Sequence, residues 1–225
     1  MSLHLWLIRH AESTWNAAGK MQGQQAHPPL TALGRWQACQ IATRLADAPL
    51  DALYTSDLRR TTETAEMIGA QLELELRPDA RLREHGLGEA EGLLWNLTEL
   101  LERWPFLREK HAQGESLHAH IPGAEPHAAF LTRVVAAFEA IHAAHPTGHV
   151  AVVSHGGVFR SYLSHLMGAP SYPGLRFGNG AISRIELHDP PLWANILYLN
   201  DTCHVQNPPE FDQLQGSVSS SIEGA

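Results

Sequence analysis

Apolar positions along the chain fall into short runs that alternate with longer amphipathic stretches. Leu3 to Ile8 is apolar and bounded by charge, which predicts a buried strand. Leu33, Trp36, Ile41 and Leu45 recur at roughly helical spacing within residues 31–46, with Thr31 placed to cap the helix. Residues 50–55 predict a second strand, and Ser56 or Asp57 a cap for a helix running to about Ala70. A third strand is expected at 72–76, a loop at 78–95, a short helix from Asn96 to Trp104 and a polar surface loop at 111–123. Phe130, Leu131, Val134, Phe138 and Ile141 form one stripe of a helix over 125–145. A strand at 149–153, a helix at 155–167 and strands at 180–187 and 193–199 complete the pattern.

Strands alternating with helices predict an α/β fold, a three-layer α/β/α sandwich with a mostly parallel central sheet and helices on both faces. No repeat or linker divides the chain, so residues 1–207 read as one domain with a helical insert at about 94–121. Residues 208–225 turn to Gly and Ser with few apolar anchors and read as a disordered tail. In such sheets a ligand sits beyond the carboxyl ends of the strands, so the chemistry should lie just after them.

Composition narrows the classes. Hydrophobic content of 44% and charged content of 18% in 225 residues describe a globular chain. A net charge of −8 argues against a general nucleic-acid binder, although an acidic protein still binds an anion where its few arginines converge. Cys39 and Cys203 are too few and too far apart for a disulfide framework and lack zinc spacing, as expected of reduced thiols. The first residues lack a signal-peptide pattern and no run approaches a membrane span, so a cytoplasmic protein that does not engage membranes is expected.

Candidate chemistry does follow strands. The first predicted strand ends in Arg9-His10-Ala11-Glu12-Ser13, the second in Ser56-Asp57-Leu58-Arg59-Arg60-Thr61, and that at 149–153 in Ser154-His155-Gly156-Gly157. Two histidines and at least two arginines thus emerge at one sheet edge, a set that suits a phosphoryl group. Arginine offers a planar fork to phosphate oxygens, and histidine can attack phosphorus or donate to its oxygens. Glycines after His155 let backbone N–H groups approach an anion at a helix start.

This pattern resembles the histidine phosphatase superfamily, the phosphoglycerate-mutase-like fold. Besides these segments, the matching features are Asn16, Gln22-Gly23, Leu30-Thr31-Ala32-Leu33-Gly34, Leu82-Arg83-Glu84, Gly88, Glu91-Gly92 and Pro122-Gly123-Ala124-Glu125. The resemblance spans about residues 3–204. It implies that His10 is a nucleophile that becomes phosphohistidine, that Arg9, Arg60 and His155 bind the phosphoryl oxygens with help from Asn16, and that Glu84 is the general acid. Gln22, Gly23, Gly156 and His204 are then expected around the substrate. Neither metal nor cofactor is expected where arginines and His155 supply the positive charge. For His10 to attack, one ring nitrogen must be free and the other held by a backbone carbonyl, with nearby arginines keeping the ring neutral.

Two features depart from the family pattern. Ala11 replaces the usual glycine, a mild change if the backbone there is extended. Residues 23–30 lack the aspartate often found before Pro-Leu, which affects the rim. Arg59 reads as a solvated helix residue beside Arg60. The fifteen histidines invite a metal reading, yet His118, His120, His142 and His145 lack ligand spacing and read as solvated surface. Trp6 and Trp36 read as core, while Trp95 and Trp104 flank the insert and could line its wall. The acidic loop 84–92 runs straight into a compact helix, unlike the basic insert with which phosphoglycerate mutases grip a carboxylate.

The expected activity is therefore phosphomonoester hydrolysis of a small phosphorylated metabolite. A phosphoglycerate mutase and a non-catalytic phosphate-binding relative are the alternatives. Arg103, Arg108 and Lys110 offer contacts to a second anionic group or a solvated helix face. The apolar edge at 193–199 could pair two chains as a homodimer.

Overall fold

The computed structural model describes residues 2–114, 117–169, 175–188 and 193–210. The expected tail beyond residue 210 lies outside the described residues. Strand β1 (Ser2–Arg9) is followed by the short helix α1 (Thr14–Ala17), α2 (Ala32–Arg44), β2 (Ala52–Thr55) and α3 (Arg59–Leu72). Then come β3 (Leu76–Pro78), α4 (Leu97–Arg103), α5 (Leu107–Ala112), α6 (His127–Ala144), β4 (Gly148–Ser154), α7 (Gly156–Leu166), β5 (Ile182–His188) and β6 (Trp193–Asp201).

The six strands form one sheet in the order β3-β2-β4-β1-β5-β6. The pairings among β3, β2, β4 and β1 are parallel, whereas β5 runs antiparallel to both β1 and β6. Side-chain alternation decides which helix covers which face. Leu3, Leu5 and Leu7 of β1 and Val150 and Val152 of β4 pack with α6 and α7 through Phe130, Phe138 and Phe159. Trp6, Ile8, Ala151 and Val153 point the other way, onto Ile41, Leu45, Ala65 and Ile68 of α2 and α3. The result is the three-layer sandwich that the alternation of strands and helices predicts. A separate small core of Met21, Leu87, Leu100, Trp104, Leu107 and Ile121 anchors the insert.

Four local expectations are corrected. Neither Ser56 nor Asp57 caps α3. The cap position is Leu58, with no side-chain cap, because Ser56 is turned to His155 and Asp57 to Arg83. The third strand is displaced from 72–76 to Leu76–Pro78, since α3 continues to Leu72 and Glu73 ends it in the left-handed region. In α2 the buried face is Gly34, Gln37, Ala38, Ile41 and Ala42, while Leu33 and Trp36 are only half-buried. Gln37 is drawn inward because its Oε1 accepts the Glu12 N–H. The segment at 111–123 carries a 3-10 turn (Leu117–His120) and the buried Ile121, so it is not simply polar surface.

Register brings the predicted chemistry together. Arg9 pairs with Ser154, and Thr55 with Val153, so the carboxyl ends of β2, β4 and β1 stand level and side by side. The residues that follow them, Ser56, His155 and His10, open on the same space. Among the described residues no helix is long and apolar enough to cross a membrane. Both cysteines are free thiols. Strand β6 is a sheet edge and exposes Trp193, Ile196 and Leu197.

Phe138 is fully buried and stacks on Tyr162 of α7 at 3.8 Å between ring centroids. Phe138→Ala is expected to lower stability by about 3–5 kcal/mol, read as a shift in the guanidinium unfolding midpoint. A loss below about 1 kcal/mol would mean that α6 and α7 are not packed through this ring.

Candidate active site

A cavity of about 210 Å³ opens at this edge, lined among others by Arg9, His10, Asn16, Gln22, Gly23, Arg60, Glu84 and His155. The residues predicted around a phosphoryl group therefore share one space, with two exceptions discussed below.

His10 is 3% exposed. Its Nδ1 donates to the Ala11 carbonyl at 2.8 Å, the tautomer lock expected of a nucleophile, which leaves Nε2 as the bare ring nitrogen. Burial first, then the Arg60 and Arg9 charges, hold its pKa well below the usual histidine range, so the ring is neutral. The Ala11 substitution is accommodated. This residue is fully buried against Leu30 and Ala38, does not adopt positive φ, and donates its N–H to Thr64 Oγ1 at 3.1 Å.

Arg60 is the largest fully buried side chain. Backbone carbonyls hold it, with Gly23 accepting at 2.8 Å and Gln25 at 3.0 Å. Burial pushes its pKa down to about 10, against the opposing pull of Glu84, so it remains a cation. Arg9 donates to the Phe177 carbonyl. The Nε–H groups of Arg9 and Arg60 are buried without a protein acceptor. Buried donors of this kind normally find a partner, and an anion in the cavity would provide one.

His155 stands with its ring edge toward His10, centroids 5.2 Å apart. Arg60 donates to its Nδ1 at 3.3 Å, so Nε2 carries the proton and donates to Ser56 Oγ at 3.0 Å. Burial and the Arg60 charge keep this ring neutral too. Both ring nitrogens are thus engaged by protein, and a direct bond from His155 to a phosphoryl oxygen would need Arg60 to swing away from Nδ1. Asn16 Oδ1 accepts from the Ser13 N–H and from Asn179 Nδ2, each at 3.1 Å, which turns its amide NH2 to the cavity. Gln22 Oε1 accepts from Ser13 Oγ at 2.7 Å, with the same consequence for Gln22 Nε2.

Glu84 lines the same cavity as His10. Its Oε2 accepts the Gly157 N–H at 3.0 Å and its Oε1 the His85 N–H at 2.9 Å. The loop that carries it has little regular structure, and Arg133 of α6 holds it in place. All five guanidinium N–H groups of Arg133 are used. Two grip Glu125 at 2.6 and 2.8 Å, and three reach the carbonyls of Arg81, Arg83 and Glu84 at 2.8, 2.6 and 2.8 Å. Glu125 also accepts the Gly86 N–H, and its carbonyl accepts from His85 Nε2 at 2.7 Å. The Pro122-Gly123-Ala124-Glu125 segment thereby acquires a physical role.

Two predicted positions fall outside this cavity. His204 lies in a 3-10 turn after β6, where its Nε2 donates to the Gly180 carbonyl at 2.9 Å, so it braces the 178–180 loop and does not line the cavity. Gly156 lines the adjoining space, and its neighbour Gly157 is the one whose missing side chain makes room for Glu84. His118, expected on solvated surface, lines the cavity and packs edge-on against Trp95 at 4.9 Å. Burial pushes its pKa down to about 4. Lys20, His85 and Arg160 also line the cavity and had no distinguishing sequence signal. Arg103, Arg108 and Lys110 do not. Trp95 borders the adjoining space, whereas Trp104 is buried in the core of the insert. Among the described residues, Asp201, Cys203 and His204 place ligand atoms within 4.8 Å of one another and could hold a metal ion, outside this cavity.

Chemically, the arrangement is suited to an anion. It has two arginines, a bare imidazole nitrogen and a carboxyl group at the carboxyl edge of the parallel strands of an α/β sheet, the chemistry expected of a phosphoryl-handling α/β protein. The chain belongs to the histidine phosphatase superfamily (branch 1), whose sequence profile matches residues 5–201. It is 34% identical over 220 residues to the probable phosphoglycerate mutase GpmB of Shigella boydii and of Escherichia coli, covering 95% of this chain and 99% of each relative. Similar solved structures include a mycobacterial glucosyl-3-phosphoglycerate phosphatase, with TM-score 0.78, 26% identity, and coverage of 90% of this chain and 100% of that one. A putative alpha-ribazole-5'-P phosphatase from Escherichia coli matches with TM-score 0.76 and 27% identity over 88% of this chain and 96% of that one.

A Cβ on Gly157 would overlap Glu84 Oε1, whereas one on Gly156 would meet only Arg9 Cδ at 3.8 Å. With Glu84 in the general-acid role that the family resemblance implies, Gly157→Ala should lower kcat/KM at least about tenfold more than Gly156→Ala, because small displacements of such a group are costly. Equal effects would show that Glu84 does not need this close approach.

Burial also sets a pH dependence of stability. His10, His155 and His118 stay neutral in the fold below the usual pKa of about 6.5, while the unfolded chain takes up protons there. Their contribution is complete above about pH 6.5 and is lost as pH falls below it. Denaturant midpoints should drop between about pH 7 and pH 5, above the range in which carboxylates titrate. A flat or rising profile would contradict the neutral assignment.

Proposed function

We propose that the protein is a phosphomonoester hydrolase that works through a phosphohistidine on His10. The observation that carries this reading is the meeting of bare His10 Nε2, the half-buried Arg9 and fully buried Arg60 cations and Glu84 around one cavity. His10 Nε2 attacks phosphorus in line, and the bond from phosphorus to the leaving oxygen breaks. Glu84 gives its proton to that oxygen. Water then attacks the phosphohistidine while the Glu84 carboxylate takes the water's proton, releasing phosphate and restoring both groups.

Charge spreads over the equatorial phosphoryl oxygens in the transition state, and the two arginines with the Asn16 and Gln22 amides are placed to receive it. A dianionic phosphoryl group would draw Arg60 from His155 Nδ1 and favour protonation of that ring, which would then donate to the anion. In this mechanism the chain's own residues supply the acid, the nucleophile and the positive charge.

A mutase reading is favoured by the 34% identity to probable phosphoglycerate mutases. Against it, Arg103, Arg108 and Lys110 of the insert do not line the cavity, and phosphatases are among the similar solved structures.

Initial rates with 4-nitrophenyl phosphate in excess chelator test the hydrolase reading. Turnover should persist in the wild type, vanish in His10→Ala, and be accompanied by acid-labile, base-stable phosphoenzyme on His10 after rapid quench. Phosphoenzyme that forms but transfers its phosphoryl group only to phosphoglycerate would establish the mutase instead. Absence of phosphoenzyme with any donor would leave a phosphate-binding protein.

A further inference from the structure

Strand β6 ends at Asp201, and a 3-10 turn over Cys203–Val205 follows at once. Asp201, Cys203 and His204 there place a carboxylate oxygen, a sulfur and a ring nitrogen within 4.8 Å of one another. Among the described residues no other three acid, cysteine or histidine side chains meet this closely. The Asp201 carboxylate also accepts the Cys203 N–H at 3.0 Å, which fixes the acid against the turn.

His204 is held in the state that a metal ligand requires. Its Nε2 donates to the Gly180 carbonyl at 2.9 Å, so the proton sits on Nε2 and Nδ1 carries a lone pair. That Nδ1 is buried and has no hydrogen-bond partner among the described residues. A buried polar atom in this state costs free energy unless a ligand takes it up. Metal-bound histidines share the arrangement, with one nitrogen on the metal and the other N–H on an acceptor that fixes tautomer and ring.

We propose that Asp201, Cys203 and His204 form a site for one zinc-class transition-metal ion, with water in the remaining position, and that the ion fastens the end of β6 to the 178–180 loop. A thiolate, an imidazole and a carboxylate select zinc and its neighbours over magnesium and calcium, which take oxygen ligands. Tetrahedral bonds of about 2.0–2.3 Å put ligand atoms about 3.3–3.8 Å apart, so the three groups need to close by roughly 1–1.5 Å at most. On binding, the Cys203 sulfur releases its proton to solvent and bonds the metal, while His204 Nδ1 and the Asp201 carboxylate each give a lone pair. Arg44, at the end of α2, is the cation beside this group and acts on both Asp201 and Cys203. It is exposed, so its side chain can turn to solvent.

The loop that the ion braces also supports the cavity. The Gly180 N–H and Asn179 Nδ2 each donate to the His10 carbonyl at 3.2 Å, and Asn200 Oδ1 accepts the Gly178 N–H at 2.6 Å. The ion acts on the stability of this support and takes no part in moving a phosphoryl group, so the assignment is independent of the hydrolase reading.

Cobalt(II) and zinc are the probes, added to the full chain after chelator treatment and removal of the chelator. One equivalent of cobalt should give a thiolate-to-cobalt charge-transfer band that persists in Cys39→Ser and disappears in Cys203→Ser. Zinc affinity, by calorimetry, should fall at least about tenfold in Asp201→Asn, Cys203→Ser and His204→Gln, and zinc should raise the melting temperature of the wild type but not of Cys203→Ser. Cys203 is exposed, so Cys203→Ser should melt with the wild type in chelator, which separates loss of the site from loss of the fold. Affinity unchanged in all three variants, or a charge-transfer band that survives Cys203→Ser, would overturn the site. Binding that is lost in His10→Ala and kept in Cys203→Ser would overturn it too, by placing the ion in the cavity. The same holds for no binding, or for several weak equivalents that none of the three variants removes.

Discussion

Arg60 has to remain a cation in a place where almost no water reaches it. A guanidinium that is 1% exposed would ordinarily be neutralised by a carboxylate, and the resulting ion pair would then compete with any incoming anion. This fold satisfies the group with main-chain carbonyls, from Gly23 and Gln25, which accept hydrogen bonds without cancelling the charge. Arg9 is treated the same way by Phe177. The acids that lower the electrostatic penalty, Glu84 and Glu91, act on Arg60 without bonding to it. Much of the surrounding architecture follows from this constraint. Glu91 accepts from the Gln24 N–H and from Gln25 Nε2, so it fixes the strap whose carbonyls hold Arg60. Gly23 adopts a positive φ that suits glycine, and a side chain there would overlap the Glu91 carboxylate.

The wall that carries Glu84 solves a different problem. Glu84 sits in a loop, where main-chain bonds to neighbouring strands are not available to set its position. Arg133 and Glu125 replace them. A guanidinium with every N–H committed is rigid, and it reads three carbonyls of the acid loop at once. Phe130 packs under the Arg133 guanidinium at 4.8 Å, so the group is fixed by the apolar core as well as by its bonds. Placement of a carboxyl group relative to His10 is thereby tied to α6, whose inner face of Phe130, Val134, Ala137, Phe138 and Ile141 is buried in the core.

Sequence patterns revealed the sheet, the order of its elements and most of the cavity, because these depend on local regularities. Apolar runs mark strands, helical spacing marks their covers, and the rule that ligands sit beyond strand ends located Arg9-His10, Arg60 and His155. Expectations failed where a polar side chain was recruited for a distant partner. Ser56 has the chemistry of a helix cap, yet it bonds to His155 ninety-nine residues away. Gln37 is polar on a buried face because a main-chain N–H needs an acceptor there. Arg133 looks like one more helix arginine, and its role becomes visible only when residues 81–84 are folded against it. His118 and Arg160 likewise carry no local signature. His118 faces the cavity because Ile121 is drawn into the core of the insert, and Arg160 because α7 begins at the phosphate edge.

The same distinction explains why the family is clearer than the activity. The center around His10 is built from strand ends and carbonyls, and phosphatases and mutases can share it without alteration. What separates them is the fate of a phosphohistidine, which depends on whether water or a second hydroxyl reaches phosphorus first. That competition is decided by how firmly the rest of the molecule is held while the bond breaks. A leaving group bound tightly through its own charge stays near the phosphoenzyme and favours return of the phosphoryl group, whereas one bound weakly departs and admits water. The rim, made here from α7, the 175–177 segment and Trp95, is the part of the cavity wall that the strand-end center leaves free to differ.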